Sequence, residues 1–171
     1  LVSKEYKDLD IVTIDCRDLS KYVSRINPDI KFYRTCDPGE AVDLLHGTPI
    51  VATALPSRIA RRYIEKLLNN GLNVVDVSFI DFDPYDLENV CMNKRTYYVV
   101  DAGFAPGFSN LVVGKIHHEL GDLDRVRIYV GGIPVEPIPP IGYQITWSPE
   151  DLIEEYIRPA HIIIDGKIMI V

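Results

Sequence analysis

Hydrophobic residues in the first 120 positions fall into short apolar runs that alternate with amphipathic segments. The apolar runs are rich in β-branched residues, as is typical of parallel strands covered on both faces. The amphipathic segments repeat their apolar residues every three or four positions, as in helices that bury one face. The clearest helix places Ile59, Tyr63 and Leu67 on one stripe. The pattern predicts strands at 10–15, 30–33, 49–55, 73–77 and 96–100, and helices at 19–26, 38–45, 56–70, 84–91 and 106–120.

This strict alternation predicts an α/β fold with an open, doubly wound parallel sheet of the Rossmann type. In that fold the first strand leads into a glycine-rich loop that holds the cofactor pyrophosphate. No G-x-G-x-x-G motif precedes the strand at 10–15. We therefore expect an incomplete Rossmann domain, from which the first strand and its glycine loop are absent.

The pattern changes after the helix at 106–120. Four prolines between 134 and 140 indicate a stiff loop, and Asp165-Gly166 has the composition of a hairpin turn. We place a domain boundary near Asp101, with residues 1–101 as a partial dinucleotide-binding domain and 102–171 as the start of a second, α+β domain. The elements predicted in the second domain are strands at 125–130 and 143–147, a helix to about residue 157 and a hairpin at 161–171.

Composition narrows the class of function. Hydrophobic residues make up 47% of the 171 positions and charged residues 25%, which is typical of a globular core. The net charge of −7, with no basic run longer than a pair, argues against nucleic-acid binding. The apolar runs are too short to span a membrane, and no signal peptide is visible.

The cysteines and histidines argue against a metal site. Cys16, Cys36 and Cys91 are far apart and show no C-x-x-C spacing, so we expect neither a zinc site nor a disulfide framework. This usage predicts a reducing, cytoplasmic location. His117 and His118 are neighbours on a predicted helix and point about 100° apart, so they do not share a face.

Asp15 and Arg17 are the first candidate cofactor residues, because they follow a predicted strand. An acidic residue there can bind both ribose hydroxyls of NAD, whereas an arginine can meet the 2′-phosphate of NADP. Asp15 would repel that phosphate, which favours NAD. The alternative is that Asp15 only caps the following turn.

Three further loops at strand ends are candidates. Small residues after the strand at 49–55 would admit a cofactor, although a proline at a helix start also explains part of that sequence. Between the strand at 96–100 and the next helix, two glycines permit unusual backbone angles, and helix-start N–H groups can face an anion or a carboxamide. An ordinary strand–helix connection is the alternative. The candidate cofactor residues in these loops are Thr53, Ala54, Leu55, Pro56, Ser78, Gly103, Pro106, Gly107 and Asn110.

Several stretches, in the expected order, resemble the saccharopine dehydrogenase family, and within it the lysine 6-dehydrogenase-like enzymes most closely. They cover most of the chain from about Pro49 onward. The matching stretches are VDVSF (75–79), DAGFAPGFSN (101–110), YVGGIP (129–134), ITWSP (145–149), DLIEEY (151–156) and RPA (158–160).

The resemblance implies an oxidoreductase that uses NAD or NADP and acts on the C–N bond of an amino acid. For a lysine 6-dehydrogenase, lysine becomes 2-aminoadipate 6-semialdehyde. The resemblance also implies a homodimer, and it implies that residues 102–171 begin a catalytic and dimerisation domain. Two other functions stay open: a saccharopine-type reductase that uses NADP, and a non-catalytic nucleotide-binding or structural Rossmann protein.

Carboxylates at strand ends are the candidates for removing a proton or stabilising an iminium, and these are Asp76 and Asp101. The alternative for Asp76, which its position inside a strand favours on statistics alone, is a loop-facing or hydrogen-bonded acid without a catalytic role. Arg158 is a cation of the kind that binds a substrate carboxylate. Tyr143 and Trp147 are candidates for lining the substrate pocket, although an alternating strand more often places such residues in a core.

Overall fold

The computed structural model describes residues 9–145 and 148–171. It contains seven strands, six α-helices and one 3₁₀ turn within those ranges. The strands are β1 (Val12–Asp15), β2 (Lys31–Arg34), β3 (Ile50–Thr53), β4 (Asn73–Asp76), β5 (Tyr98–Val99), β6 (His161–Ile164) and β7 (Lys167–Ile170). The helices are α1 (Ser20–Ile26), α2 (Pro38–Leu44), α3 (Ser57–Asn69), α4 (Glu88–Lys94), α5 (Phe108–Leu120) and α6 (Pro149–Ile157), and a 3₁₀ turn (Pro84–Leu87) precedes α4.

The predicted alternation of strands and helices is confirmed from β1 to α5, and its strands are parallel. β1 pairs with β2, aligning Asp15 with Arg34. β4 lies between β3 and β5, aligning Thr53 with Asp76 and Val75 with Val99. The described strands therefore form two separate parallel ladders, β1-β2 and β3-β4-β5, where the sequence predicted one sheet.

The core lies around α3 because this helix has the strongest apolar stripe. Ala60, Ile64 and Leu68 on α3 are fully buried, together with Val74 of β4. Fully burying a large aliphatic side chain contributes about 1.5–3 kcal/mol, so this packing is the main support of the β3-β4-β5 sheet. The loops at the carboxyl ends of those strands are consequently built on a rigid base.

The second half of the chain differs from the prediction in two places. Residues 125–130 and 143–145 form no strand, although their apolar residues alternate. A strand needs a neighbour to pair with, and the described residues provide no such neighbour for these segments. The helix that follows and the hairpin are confirmed. Asp165 and Gly166 form the turn of the hairpin, with φ values of +50° and +74°.

The expectation that the cysteines form no disulfide is wrong for one pair. Cys16 and Cys36 are joined as a disulfide, with their Cα atoms 4.7 Å apart. The physical reason is the β1-β2 register: because Asp15 lies opposite Arg34, the residues just beyond these strand ends are neighbours. Cys91 is a free cysteine.

Within the described residues, no helix has both the length and the apolar character that crossing a membrane requires.

Candidate cofactor and active site

Asp76, the last residue of β4, is the centre of a buried hydrogen-bond network. Asp76 is only 1% exposed. One carboxylate oxygen accepts hydrogen bonds from the Thr53 hydroxyl at 2.7 Å, the Ser78 hydroxyl at 2.5 Å and the Ser78 backbone N–H at 3.0 Å. The other oxygen accepts from the Tyr98 hydroxyl at 3.0 Å. Four hydrogen-bond donors thus satisfy this buried carboxylate.

Tyr98 takes part in this network from β5. Burial raises the pKa of its hydroxyl well above the ordinary range, and the neighbouring Asp76 carboxylate raises this pKa further. Tyr98 is therefore a neutral donor that holds the end of β5 against β4. Its role was missed in the sequence because a tyrosine in an apolar strand looks like a packing residue.

The loop after β3 is tied to the loop after β4. The Ser78 hydroxyl, which donates to Asp76, accepts from the Leu55 backbone N–H at 2.8 Å. The Val77 N–H donates to the Thr53 carbonyl at 3.0 Å. The structure thus brings together three of the predicted cofactor residues, Thr53, Leu55 and Ser78, whereas Ala54 and Pro56 are exposed beside them.

The segment from Asp101 to Gly107 forms a tight loop before α5. The Ala102 N–H donates to the Asp76 carbonyl at 2.9 Å, which places the start of this loop next to β4. Gly103 and Gly107 form a backbone bridge, and Gly107 is buried with φ +128°. Asp101 itself is exposed and adopts φ +50°. Pro106 and Asn110 are also exposed at this loop and the first turn of α5.

Asp15 and Arg17 lie together at the end of β1. The Arg17 backbone N–H donates to Asp15 Oδ1 at 2.8 Å, and its guanidinium contacts both carboxylate oxygens at 3.2 and 3.4 Å. Partial burial raises the pKa of Asp15, but the hydrogen bonds from Arg17 outweigh it and hold the pKa below its ordinary value. Asp15 is therefore an ionised acceptor that remains partly accessible.

A shallow depression lies beyond the ends of β1 and β2, next to Asp15. The Arg34 side chain lines it and donates to the Cys16 carbonyl at 3.0 Å. The residues that line it are Cys16, Arg34, Thr35, Cys36, Asp37 and Glu40. None of these lining residues was predicted from the sequence, because the signal is the strand register and not a motif.

Arg158 and Asp151 connect α6 to the loops after β3 and β4. The Arg158 guanidinium donates to the Ile80 carbonyl at 2.8 Å and lies 4.2 Å from the centre of the Phe79 ring. The Asp151 carboxylate accepts from the hydroxyl and the backbone N–H of Ser57 at the start of α3. The contact of Asp151 was missed because the two residues are 94 positions apart.

Of the other two predicted substrate residues, Tyr143 is not part of this cluster. Tyr143 is exposed, and no hydrogen bond within the described chain involves its side chain. Trp147 lies outside the described residues. Among those residues, no three His, Cys, Asp or Glu side chains are grouped as metal ligands would be.

Comparison with known proteins relates the chain to one family. Residues 103–171 match the family model of the saccharopine dehydrogenase C-terminal domain. The mitochondrial alpha-aminoadipic semialdehyde synthase of Rattus norvegicus is 21% identical over 132 residues. An apo histidine-tagged saccharopine dehydrogenase (L-Glu forming) from Saccharomyces cerevisiae has a similar structure, with a TM-score of 0.61 and 20% sequence identity.

These findings confirm the resemblance to the saccharopine dehydrogenase family and the mixed α/β fold with parallel strands. The match to the rat protein covers 74% of this chain and 14% of that protein. The match to the yeast structure covers 96% of this chain and 39% of that chain. The chain thus spans well under half the length of either relative.

Proposed function

We propose that this chain is part of an NAD(P)-dependent oxidoreductase that acts on the C–N bond of an amino acid, of the lysine 6-dehydrogenase type. The observation that carries the proposal is the arrangement of Thr53, Asp76 and Ser78 at the carboxyl ends of parallel strands. This is the edge of an open α/β sheet at which ligands bind. The family match over 103–171 supports the oxidoreductase class.

The break between the two parallel ladders supports the same proposal. In the Rossmann strand order 3-2-1-4-5-6, the first strand lies between the second and the fourth. If β1 is the second strand and β3 is the fourth, the break between the two described ladders falls at that position. We infer that residues 1–101 belong to a Rossmann domain in which β1 corresponds to the second strand, and that residues 102–171 belong to the catalytic domain.

The residues at the end of β1 fit the adenosine end of a dinucleotide. An ionised carboxylate beside a strand end can accept hydrogen bonds from both ribose hydroxyls. Asp15 has this state and position, and Arg17 already donates to both of its oxygens. A 2′-phosphate would have to take Arg17 away from Asp15 and lie against a negative charge. We therefore propose NAD as the preferred cofactor.

The bound dinucleotide would supply the hydride acceptor. Within this chain, the buried network around Asp76 would keep the loops after β3 and β4 in one arrangement, so that the donor carbon is oriented and water is excluded. Of the two candidate catalytic carboxylates, Asp101 suits proton removal better, because it is exposed at a strand end. Asp76 suits a positioning role, since its oxygens already accept four hydrogen bonds.

The decisive experiment is a reduction assay on the purified protein, produced from its complete coding sequence, with NAD and NADP and a panel of amino acids that includes lysine and saccharopine. We expect NAD reduction with lysine. NADP-linked activity with saccharopine alone would establish the reductase alternative. No activity, combined with tight binding of a dinucleotide, would establish the non-catalytic alternative.

Two pairs of variants test the residue roles. Asp101→Asn should lower kcat more than tenfold, and Asp86→Asn, at an exposed carboxylate on the 3₁₀ turn, is its control. Asp15→Asn should raise the KM for NAD and leave kcat nearly unchanged. Asp10→Asn, at an exposed carboxylate just before β1, is its control. An Asp101→Asn enzyme with normal turnover would contradict the role of this residue as base.

A further inference from the structure

The buried carboxylate of Asp151 plays no part in the proposed chemistry, yet it is only 4% exposed. Burying a carboxylate away from water is unfavourable unless it finds hydrogen-bond donors and positive potential. Here the donors are the Ser57 hydroxyl and, more weakly at 3.4 Å, the Ser57 N–H. Both belong to the first residue of α3, which follows the candidate cofactor loop at 53–56.

The electrostatic surroundings of Asp151 explain its burial. It lies in the first turn of α6, where the Ser148 hydroxyl caps the helix by accepting from the Asp151 N–H at 3.3 Å. Its side chain reaches the first turn of α3. A carboxylate is stabilised near a helix N-terminus, and this one lies beside two such termini. Pro56, before Ser57, provides no side-chain cap for α3, so Asp151 supplies a cap from a distant part of the chain.

The other end of α6 contacts the neighbouring loop. Arg158, directly after the helix, donates to the Ile80 carbonyl and stacks on Phe79. Seven helical residues rise about 10 Å, so the two contacts are spread along the length of α6. One contact is to the start of α3, after β3, and the other is to the loop after β4. α6 therefore spans two of the loops that carry candidate cofactor residues.

We propose that Asp151 is a positioning residue: by capping α3 it holds the loop at 53–56 in its cofactor-facing arrangement, and Arg158 does the same for the loop after β4. The effect on the cofactor rests on the proposed function. The capping itself does not, because it concerns only contacts within the chain. α6 thus couples the second half of the chain to the dinucleotide-binding half.

Hydrogen–deuterium exchange tests the capping without any activity. In Asp151→Ala, the amides of residues 57–60 should exchange at least tenfold faster, while those in the middle of α3 keep their rates. Glu150→Gln, a change at the exposed neighbouring acid in the same helix turn, should leave all these rates unchanged. Unchanged rates at 57–60 in Asp151→Ala, or an equal increase along the whole of α3, would overturn the proposal.

A milder pair of variants covers the case in which Asp151→Ala does not fold. Asp151→Asn and Ser57→Ala remove the same contact from opposite sides. If that contact is the reason for their effects, the double variant should lower the Tm by little more than the larger single change. Fully additive changes in Tm would show that the two residues act independently, which would also overturn the proposal.

The cofactor readout separates this proposal from the proposed function. Asp151→Asn should raise the Kd for NAD at least threefold, with kcat at saturating NAD changed by less than twofold. If the wild-type protein binds neither NAD nor NADP, the proposed function fails, and the exchange rates at 57–60 still decide whether Asp151 caps α3. If NAD binds and its Kd is the same in wild type and Asp151→Asn, the positioning role is refuted.

Discussion

Replacement of Gly107 by alanine is the perturbation that the structure constrains most closely. Gly107 caps the start of α5 with φ +128° and ψ −92°. A Cβ atom built there would lie 2.2 Å from the Asp101 carbonyl oxygen, 2.3 Å from the Gly103 carbonyl oxygen and 2.7 Å from the Gly103 nitrogen. All three are backbone atoms, so no side-chain rotation can relieve the overlap.

The cost of Gly107→Ala has two parts. Placing a residue with a Cβ at a positive φ costs roughly 1–2 kcal/mol. Forcing an extra methyl group into closely packed surroundings costs about 1–3 kcal/mol. We therefore expect the free energy of unfolding to fall by about 2–5 kcal/mol in total, and the Asp101–Gly107 loop to change shape.

Gly71→Ala is the matched control. Gly71 follows α3 with φ +82°, but a Cβ there would meet nothing within 4 Å. It should therefore cost only the roughly 1–2 kcal/mol of the backbone conformation. The assay is urea unfolding followed by far-ultraviolet circular dichroism for the wild type and both variants. If Gly107→Ala is no more destabilising than Gly71→Ala, the close approach of the loop backbone is refuted.

Three further predictions concern stability. The disulfide between Cys16 and Cys36 closes a loop of about 20 residues, so its reduction should lower the free energy of unfolding by about 3 kcal/mol. Thiol titration should first show that reduction is complete, and an unchanged Tm of the reduced protein would then contradict this prediction. The pKa of the Tyr98 hydroxyl is raised, so the folded chain holds the hydroxyl proton more tightly than the unfolded chain does. The stability that this provides should be present below pH 10, the pKa of tyrosine in the unfolded chain, and should fall as the pH rises above it. Tyr98→Phe should remove that component, and an identical alkaline limb in the variant would count against it. Because the pKa of Asp15 is lowered in the folded chain, its contribution to stability should be present above pH 3.8 and be lost as the pH falls below that value. Asp15→Asn should therefore flatten the acid side of a curve of Tm against pH. An unaltered acid side in the variant would contradict the ion pair with Arg17.

The order of strands and helices was predictable because the spacing of apolar residues along the chain separates the two kinds of element. The stripe of Ile59, Tyr63 and Leu67 predicted α3, and the structure confirms it. The same reasoning failed at 125–130, since alternation describes a strand only where a partner strand is present. Pairing is a property of the whole chain and cannot be read from one segment.

The candidate site was predictable as a set of loops but not as a set of roles. The predicted strand ends pointed to Thr53, Asp76 and Ser78 as site residues, and hydrogen bonds join these three in the structure. The sequence left open whether Asp76 is a catalytic or a hydrogen-bonded acid, because its donors come from three separate segments of the chain. It could not show the contact between Ser57 and Asp151 either, since no local pattern relates residues so far apart.

The network around Asp76 divides the strand ends into two regions with different tolerance of change. Its donors come from β3, from the loop after β4 and from β5, so replacing any one of them leaves a buried polar group without its partner. Asp15 and Arg17 belong to the other ladder and have no bond to this network. Substitutions at Asp15 and Arg17 can therefore accumulate while the network around Asp76 stays intact, whereas a change at Asp76 leaves several donors without their acceptor at once.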